Sequence, residues 1–395
     1  MSSTRTTYAT LVAVVLTAAT AVLCWMTGAL ATAAGNVSWS NGTDLPFRAH
    51  EAGGIGADGK VFVFGGYDVE YIGQTGNWRP RSRATSYDPA TGTWTELAAL
   101  PAFAAGSAAG ATHIGTATDD SRYVYLAGGY PANKNGTGQL FGSKTVLRYD
   151  IANDRYDALP DLPFARGAGG LGLIGRELHF VGGSDNARET VSDHWALDLD
   201  NLAAGWKPRA ALPSPRNHLA TAVVHGRLFV AGGQVGENAA ATTSDSLEAY
   251  NPATDKWNDE PSLPTALSHL GLATNGDVLY LLGGETAFTK PGTFAYTFNP
   301  ATETWGPLTA LPDKRSTGVA AFIDGVLYYA GGGRSKILYR GSTTGAPLPT
   351  PVPTATPVPG STPTPTPKPG TTPKPNPTAT PLPAKPTPEK LSEYE

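Results

Sequence analysis

Four histidines recur at related places in the chain, and their type and spacing suggest chemistry before any other feature does. His218 in PRNHLA and His269 in ALSHLG each lie fourteen residues before a pair of glycines. His50 in FRAHEA lies fifteen residues before its glycine pair and needs a one-residue bulge to match. The fourth, His113, stands at the end of an insertion. Imidazoles that face one another can bind a metal ion.

The corresponding places elsewhere in the chain hold Ala168 and Thr317, so the set of histidines is incomplete. Two roles are compatible with the sequence around His218 and His269. They bind a metal ion, or they have a structural role and only line the rim of the fold. We favour the second interpretation, and we predict neither a metal ion nor any other cofactor.

Aromatic and basic side chains form a second candidate set, in two long segments that follow the first two glycine pairs. These segments read YDVEYIGQTGNWRPRSRA, from residue 67, and YPANKNGTGQLFGSK, from residue 130. Such side chains anchor protein interfaces because they offer large contact areas with few rotors, and aromatic rings also stack on sugars. The alternative is that long surface loops are simply tolerated. The candidate ligand-binding residues here are Tyr67, Tyr71, Trp78, Arg79, Arg81, Tyr130 and Phe141.

Acid–base chemistry has candidates but no identifying motif. The sequence contains neither HExxH nor GxSxG, and its glycine pairs lack the contexts of phosphate-binding loops. Carboxylates and an arginine follow several glycine pairs and could move protons in a pocket. They are Glu285, Glu237, Asp185 and Arg334. No spacing assigns them a role, so the catalytic residues are unknown and catalysis is not the favoured interpretation.

Composition favours an all-β protein and argues against nucleic acid as a partner. Charged residues make up only 16% of the 395 residues, whereas glycine (47) and proline (34) are abundant. This balance is typical of many short strands joined by turns. The formal net charge of -4 gives no basic surface of the kind that binds a phosphate backbone.

Residues 1–33 have the pattern of a secretory signal peptide. A charged start at Arg5 precedes an apolar stretch, and the small-x-small site of residues 31–33 follows. A retained signal anchor is the alternative, because the apolar stretch is close to the ~20 residues that span a bilayer. The single cysteine, Cys24, lies inside this segment, so a mature chain would contain none. We therefore expect a protein that is secreted or held in the cell envelope.

Residues 345–395 form a segment rich in proline and threonine, which begins GAPLPTPVPTATPVPG. Proline fixes φ and lacks a backbone donor, so this segment cannot join a sheet. We predict a disordered, extended spacer of the polyproline-II kind. It could associate the chain with a cell surface, although the sequence does not reveal what it attaches to.

Six similar units of about 50 residues fill the chain between these ends. A glycine pair ends an apolar run in each unit, at residues 65, 128, 182, 232, 283 and 331. An aromatic residue followed six residues later by Leu-Pro also occurs six times. Such a period with paired glycines is typical of a β-propeller, whose units are four-stranded blades.

The chain ends determine how the ring of blades closes. The last unit lacks the outermost strand, whereas an orphan strand, VSWSNGTDLP with Trp39, precedes the first unit. Adding that strand to the last blade leaves no unpaired edge. We therefore predict a six-bladed propeller over residues 37–340, closed by an N-terminal outer strand.

The glycine pairs, the tyrosine-to-tryptophan spacing and the Leu-Pro-x-x-Arg starts resemble kelch repeats. The third unit departs from the pattern, since Trp195 replaces the tyrosine and Trp206 follows after eleven residues instead of seven. The resemblance implies a propeller that binds other molecules. We predict an exported, monomeric, non-catalytic module for an extracellular protein or glycan, with its ligand on the sector formed by the enlarged first two units. The alternative is a carbohydrate-acting enzyme similar to kelch proteins that interconvert sialic acid anomers.

Overall fold

The fold is all-β, as the composition and the repeats predict. The computed structural model describes residues 35–67, 69 and 78–343. The predicted signal peptide, the predicted spacer and Tyr71 lie outside the described residues and stay predictions. Among the described residues, none forms a helix of the length and hydrophobicity needed to cross a membrane. The described part of the chain contains two single 3₁₀ turns, Leu202–Ala204 and Asn238–Ala240.

The described strands follow one another in a regular order along the chain. In chain order they are β1 (Ser38–Asn41), β2 (Gly53–Ala57), β3 (Lys60–Phe64), β4 (Ala84–Asp88), β5 (Thr93–Glu96), β6 (Ala111–Thr112), β7 (Gly115–Thr118), β8 (Tyr123–Ala127), β9 (Tyr130–Pro131), β10 (Val146–Asp150), β11 (Arg155–Ala158), β12 (Gly170–Ile174), β13 (Glu177–Val181), β14 (His194–Asp198), β15 (Lys207–Pro208), β16 (Ala220–Val224), β17 (Arg227–Ala231), β18 (Gln234–Val235), β19 (Thr242–Thr243), β20 (Leu247–Asn251), β21 (Lys256–Glu260), β22 (Gly271–Thr274), β23 (Leu279–Leu282), β24 (Ala295–Asn299), β25 (Thr304–Pro307), β26 (Val319–Ile323), β27 (Val326–Ala330) and β28 (Leu338–Ser342).

These strands build six antiparallel four-stranded sheets, which are the blades. From the axis outward, strands a to d are β2-β3-β4-β5 in blade 1, β7-β8-β10-β11 in blade 2, β12-β13-β14-β15 in blade 3, β16-β17-β20-β21 in blade 4, β22-β23-β24-β25 in blade 5 and β26-β27-β28-β1 in blade 6. The pairs β6–β9 and β18–β19 are small additional hairpins in the connections. The d–a and b–c connections lie on one face of the ring, and the a–b and c–d turns lie on the other.

Local sequence explains the tight turns on the second face. In the a–b turn of blade 1, Asp58 and Gly59 have φ of 47° and 67°, a conformation that short polar residues and glycine tolerate. In the c–d turn of blade 4, the Asn251 side chain accepts a hydrogen bond from the backbone N–H of Ala253 at 3.0 Å. The repeated Asn-Pro-Ala-Thr or Asp-Pro-Ala-Thr segment is therefore a hairpin turn.

The ring closes as predicted, through the N-terminal strand. β1 pairs antiparallel with β28, and Trp39 lies opposite Gly341. The Trp39 and Tyr339 rings meet edge to face, with centroids 6.5 Å apart. Adding one strand from the start of the chain to the last blade thus pairs an edge that would otherwise be open.

The outer aromatic residues hold each blade to the preceding one. In every blade the strand-d aromatic donates a hydrogen bond to a carbonyl just beyond strand d of the blade before it, at 2.8 to 2.9 Å. The pairs are Trp39–Thr309, Trp94–Thr43, Tyr156–Ala98, Trp206–Pro160, Trp257–Ala210 and Trp305–Pro261. The repeated aromatics therefore serve the contacts between blades as well as the core.

The glycine pairs are required where strand b approaches the next blade. Gly65 and Gly66 have φ of 66° and 89°, which side chains rarely adopt. A Cβ on Gly65 would lie 2.1 Å from the carbonyl oxygen of Ala111 in the next unit. The backbone N–H of Gly66 donates to that same oxygen at 3.1 Å. The pairs thus join consecutive blades and do not cradle a phosphate.

We expect deletion of residues 35–45 to lower the melting temperature of the propeller by at least about 5 °C, because blade 6 loses its outer strand and the Trp39 packing. Removal of residues 345–395 is the matched control and should leave the melting temperature unchanged. Circular dichroism during thermal unfolding measures both. An unaltered melting curve after the N-terminal deletion would contradict the closure.

A buried pair of histidines in blade 3 predicts acid sensitivity. His179 Nδ1 and His194 Nε2 lie 3.0 Å apart, and His194 Nδ1 donates to the carbonyl of Ala210. Burial lowers the pKa of His179 to about 3 and that of His194 to about 4. The neighbouring charges are Glu177, Arg209 and Asp255.

Both pKa values are depressed in the folded state. Between pH 6.5 and about 4, the two histidines therefore bind protons in the unfolded chain but not in the folded protein. Stability is therefore lost as the pH falls through this window. Between pH 6.5 and 5 we expect the wild type to lose about 3 kcal/mol more unfolding free energy than His179→Gln/His194→Gln. Urea unfolding at several pH values measures this, and parallel pH dependences would contradict the assignment.

Candidate functional site

One residue from each blade surrounds the axis on the face of the d–a and b–c loops. All six have φ between 48° and 60°, and each precedes its strand a by two residues. In five of them the backbone N–H donates to the carbonyl of the equivalent residue in the preceding blade, at 2.8 to 3.2 Å. In blade order they are Glu51, His113, Ala168, His218, His269 and Thr317. We call this set the axial ring.

The structure corrects one sequence assignment in this ring. His50 was expected to be the equivalent of His218 through a one-residue bulge, but Glu51 occupies that place. The a–b turns of blades 1 and 4 have the same length, so Glu51 lies fourteen positions before Gly65, as His218 lies fourteen positions before Gly232. The counting rule that singled out His218 therefore points to Glu51, whereas the resemblance of FRAHEA to PRNHLA points one residue too early.

A carboxylate and three imidazoles of the axial ring come together. His113, His218 and His269 each place a ring nitrogen within 4.8 Å of the others. The Glu51 carboxylate lies 2.8 Å from Nε2 of His113 and 3.8 Å from Nε2 of His269. The rings of His218 and His269 are 4.2 Å apart between centroids. We call these four side chains the axial cluster.

The other nitrogen of each imidazole is held by the residue that precedes it. His113 Nδ1 is 2.7 Å from the Thr112 hydroxyl, and His269 Nδ1 is 3.1 Å from the Ser268 hydroxyl. His218 Nδ1 is 2.8 Å from the side-chain oxygen of Asn217. These contacts fix the ring orientations.

Burial decides the charge state of the cluster. Desolvation lowers the pKa of His269 to about 4 and holds that of His218 well below its usual range. Burial alone would raise the pKa of Glu51, but the neighbouring His113 and His50 hold it well below its usual value. Near neutral pH the cluster thus contains a carboxylate, and the imidazoles of His218 and His269 resist protonation.

Aromatic rings extend from the axial cluster toward blades 1 and 6. The Trp78 ring stacks on His50 with centroids 5.8 Å apart and contacts Tyr67 at 4.8 Å. The Arg334 guanidinium lies over Trp78 at 5.8 Å. Tyr67 in turn donates a hydrogen bond to Gln139 of the second long loop. The structure thus brings together side chains from both enlarged units.

A second group of rings extends toward blades 3 and 4. Tyr130 lies 4.6 Å from His113 and 5.5 Å from Phe141 between centroids. Its hydroxyl is 2.6 Å from that of Ser184. Arg188 lies over Phe141 at 4.6 Å and pairs with Glu237 at 3.0 Å.

The remaining sequence candidates have different surroundings. Glu285 is buried beside the cluster, 4.0 Å from Nδ1 of His269, and accepts a hydrogen bond from Ser316 at 2.8 Å. Burial raises the pKa of its carboxyl. Arg79 and Arg81 are half-buried, and the Arg81 backbone N–H donates to Gly66. Asp185 accepts backbone hydrogen bonds within its own loop and does not belong to the cluster.

The cavity at the axial cluster is small. It encloses about 120 Å³ and is lined by Glu51, the three histidines of the cluster and neighbouring strand starts. Among the described residues that line it there is no arginine. A larger cavity of about 510 Å³ opens on the opposite face, between the far ends of the innermost strands.

Exposed apolar side chains distinguish the two faces. Four large hydrophobic residues in the described part of the chain are more than 40% exposed, and all of them lie on b–c or d–a connections. They are Leu140 (42%), Phe164 (59%), Val235 (53%) and Phe288 (48%). They come from four different connections, so the apolar character extends beyond the sector of the first two units that the sequence favoured.

Sequence reasoning missed several residues that shape this face. Glu51 was detectable from its distance to the glycine pair. Leu140 and Phe164 carried no such signal, because an apolar residue in a loop is buried or exposed according to contacts with other units. Arg188 also had no recognisable signal in the sequence, because it contacts Phe141 and Glu237, which lie on other loops.

The curated relatives of this chain are kelch proteins of several kinds. The chain is 27% identical over 239 residues to Kelch-like protein terF of Aspergillus terreus, a match covering 58% of this chain and 48% of that protein. It is 28% identical over 195 residues to Kelch-like protein 36 of Bos taurus (47% and 28% of the respective chains). Alpha-scruin of Limulus polyphemus is 24% identical over 176 residues (43% and 18%). The chain therefore spans about half the length of terF and less of the other two.

Family models give the same result. The model described as the KLHDC2/KLHL20/DRC7 Kelch-repeats domain matches residues 115–333, and the model of the Kelch motif matches residues 48–101. The first match alone covers more than half of the chain, and its range runs from the first strand of blade 2 to just beyond the second strand of blade 6. The protein belongs to the kelch-repeat family.

Proposed function

We propose that this chain is an exported kelch propeller that binds a protein ligand through the face of its b–c and d–a loops and catalyses no reaction. Kelch propellers commonly serve as protein-interaction modules. In this proposal residues 1–33 direct export, and residues 345–395 are the spacer between the propeller and its attachment.

The observation that carries the proposal is the one-sided distribution of exposed apolar side chains. Scattered exposed hydrophobics are normal on a soluble protein. Here the four most exposed large ones share one face, although their sequence positions span more than 120 residues. Apolar side chains gathered on one face favour a partner that covers them.

The aromatic and basic side chains near the axis support the same face. Trp78 lies between Arg334 and His50, and Phe141 lies under Arg188. Tryptophan, tyrosine and arginine are the residue types that dominate binding energy at interfaces. The residues nearest the axis are held by hydrogen bonds and stacking, so little side-chain entropy would be lost on binding.

The carbohydrate-acting enzyme is less well supported. Its pocket would have to admit a sugar and to place an arginine and a carboxylate on it. The axial cavity of about 120 Å³ is well below the roughly 300–1,000 Å³ of ligand pockets, and no arginine lines it among the described residues. A protein ligand needs no such depth.

We expect Leu140→Ser/Phe164→Ser/Phe288→Ser to weaken binding to the captured ligand at least about ten-fold, because each exposed ring or branched chain would be covered in the complex. The ligand is first identified by probing secreted-protein and glycan arrays with residues 35–345, and the affinity is then measured by biolayer interferometry. Melting temperatures should be unchanged, since the three side chains contribute little to the core.

The matched control is Ala253→Ser/Ala301→Ser, which makes the same kind of change at exposed positions on the c–d turns of the opposite face. It should bind like the wild type. Equal weakening of binding by both variants, or unchanged binding by the triple variant, would show that this face is not the binding site. An array signal confined to glycans would reject a protein ligand and favour the glycan alternative.

The Trp78→Ala variant tests the sector near blade 1. If the partner also covers the rings around the axis, this substitution should weaken binding by a similar factor, since Trp78 contacts His50, Tyr67 and Arg334. Unchanged affinity together with loss in the triple variant would place the ligand on the outer loops and exclude the sector that the sequence favoured.

Export predicts a specific mature N-terminus. Cleavage after Ala33 should leave Ala34 as the first residue of protein recovered from the culture medium or cell envelope of the native host. Intact-mass measurement and N-terminal sequencing test this. A chain that retains residues 1–33 would contradict cleavage and favour the signal anchor.

A further inference from the structure

We propose that the axial cluster is a binding site for a divalent transition-metal ion of the zinc class, with His113, His218 and His269 as nitrogen ligands and Glu51 as the carboxylate ligand. The sequence alone favoured a structural role for these histidines. The inference rests on the geometry of the four side chains and their supporting contacts, and it is independent of the proposed protein ligand.

The fold delivers the ligands from separate blades to one place on the axis. Blades 1, 2, 4 and 5 each contribute one ligand, and each ligand has φ near 50°. The backbone hydrogen bonds of the axial ring fix the positions from which these side chains start. A set of ligands this far apart in sequence, held on rigid strand starts, is better suited to a bound ion than ligands on loose loops.

The distances suit an ion after a small contraction. The three ring nitrogens lie within 4.8 Å of one another, and tetrahedral zinc with Zn–N bonds of about 2.1 Å would require roughly 3.4 Å. Side-chain rotations that move the ring nitrogens by about 1 Å would bring them to this separation. Glu51 already touches His113 and lies 3.8 Å from His269, so its carboxylate is within the same reach.

The contacts behind the imidazoles are those that metal sites use. Each histidine has its Nδ1 against a side chain of the preceding residue, which turns Nε2 toward the cluster. For His113, whose Nε2 donates to Glu51 at 2.8 Å, a bound ion would replace that proton. For His218 the arrangement is defined, because the Asn217 amide nitrogen donates to Thr190, Gly236 and Glu237. The Asn217 oxygen must then accept from His218 Nδ1, so Nε2 keeps its lone pair.

The ligand set selects the class of ion. Imidazole nitrogen suits zinc, copper, nickel and iron, whereas calcium and magnesium prefer oxygen ligands in larger numbers. One carboxylate balances part of the charge in a buried place where an uncompensated dication would be costly. With four protein ligands the site would be closed, so the ion would link four blades across the axis and would not activate a water molecule.

The test uses the mature chain, purified without a polyhistidine tag and stripped with a chelator. Titration with ZnCl₂ followed by calorimetry should show one equivalent bound per chain, and zinc should raise the melting temperature. Co²⁺ should give the visible absorption of a four-coordinate site, which Zn²⁺ then abolishes. Ca²⁺ and Mg²⁺ at the same concentrations should do neither.

Variants separate this site from the other histidines. His269→Asn should lower zinc affinity at least about 100-fold, and Glu51→Gln at least about ten-fold, since even loss of an outer contact costs 10- to 100-fold. Asparagine tolerates the positive φ at residue 269. The matched control is His225→Asn, an exposed histidine with φ of 48° that pairs with Asp277, and it should bind zinc like the wild type.

The outcomes are distinct. Equal melting temperatures of wild type and His269→Asn in chelator show that the variant folds; if it does not fold, Glu51→Gln and His113→Asn provide the comparison. No saturable zinc binding by the stripped wild type would overturn the proposal. The same would follow from equal loss in His225→Asn, or from unchanged affinity in the folded cluster variants.

Discussion

The structure depends on hydrogen bonds that run from blade to blade around a closed circle. The axial ring lies innermost, and five of its six backbone N–H groups bond to carbonyls of the preceding blade. The strand-d aromatics form the outer circle, and two of their bonds cross the closure, from Trp94 to Thr43 and from Trp39 to Thr309. A repeat protein with free ends loses stability at its terminal units, because each unit relies on neighbours. Here β1 on β28 gives every blade two neighbours, so no terminal unit exists.

The same circle explains how residues from distant repeats form one site. Each blade presents a single residue with positive φ at the axis, two residues before strand a. Such a position strains the backbone of a residue other than glycine and is kept only where the surroundings over-determine the conformation. Six equivalent positions therefore become available for side chains without any change in the fold. In this chain four of them carry a carboxylate or an imidazole, whereas Ala168 and Thr317 fill the other two. The loops around the axis add aromatic rings to this constant frame.

The sequence was sufficient for the architecture because the architecture repeats. Six glycine pairs and six aromatics, with the orphan strand of Trp39, define the number of blades and the closure, and the structure confirms both. The site was only partly predictable. The sequence identified His218, His269, Tyr67 and Trp78 as candidates. It assigned the axial position of blade 1 to His50 instead of Glu51, because the resemblance between motifs was given more weight than the spacing. The exposure of Leu140 and Phe164 depends on how loops of neighbouring units pack, and single-sequence patterns do not encode those contacts.

The closure also determines on which face of the propeller the last described strand ends. β28 is a third strand of its blade, so it runs from the b–c side toward the c–d side, and the described chain ends just beyond it at Thr343. β1 begins beside that point, with Ser38 opposite Ser342. A force applied to the chain at Thr343 therefore acts on the side away from the axial histidines and the exposed apolar loops. It runs along β28, which pairs with β27 on one flank and with β1 on the other, so the hydrogen bonds of both pairs share the load at once.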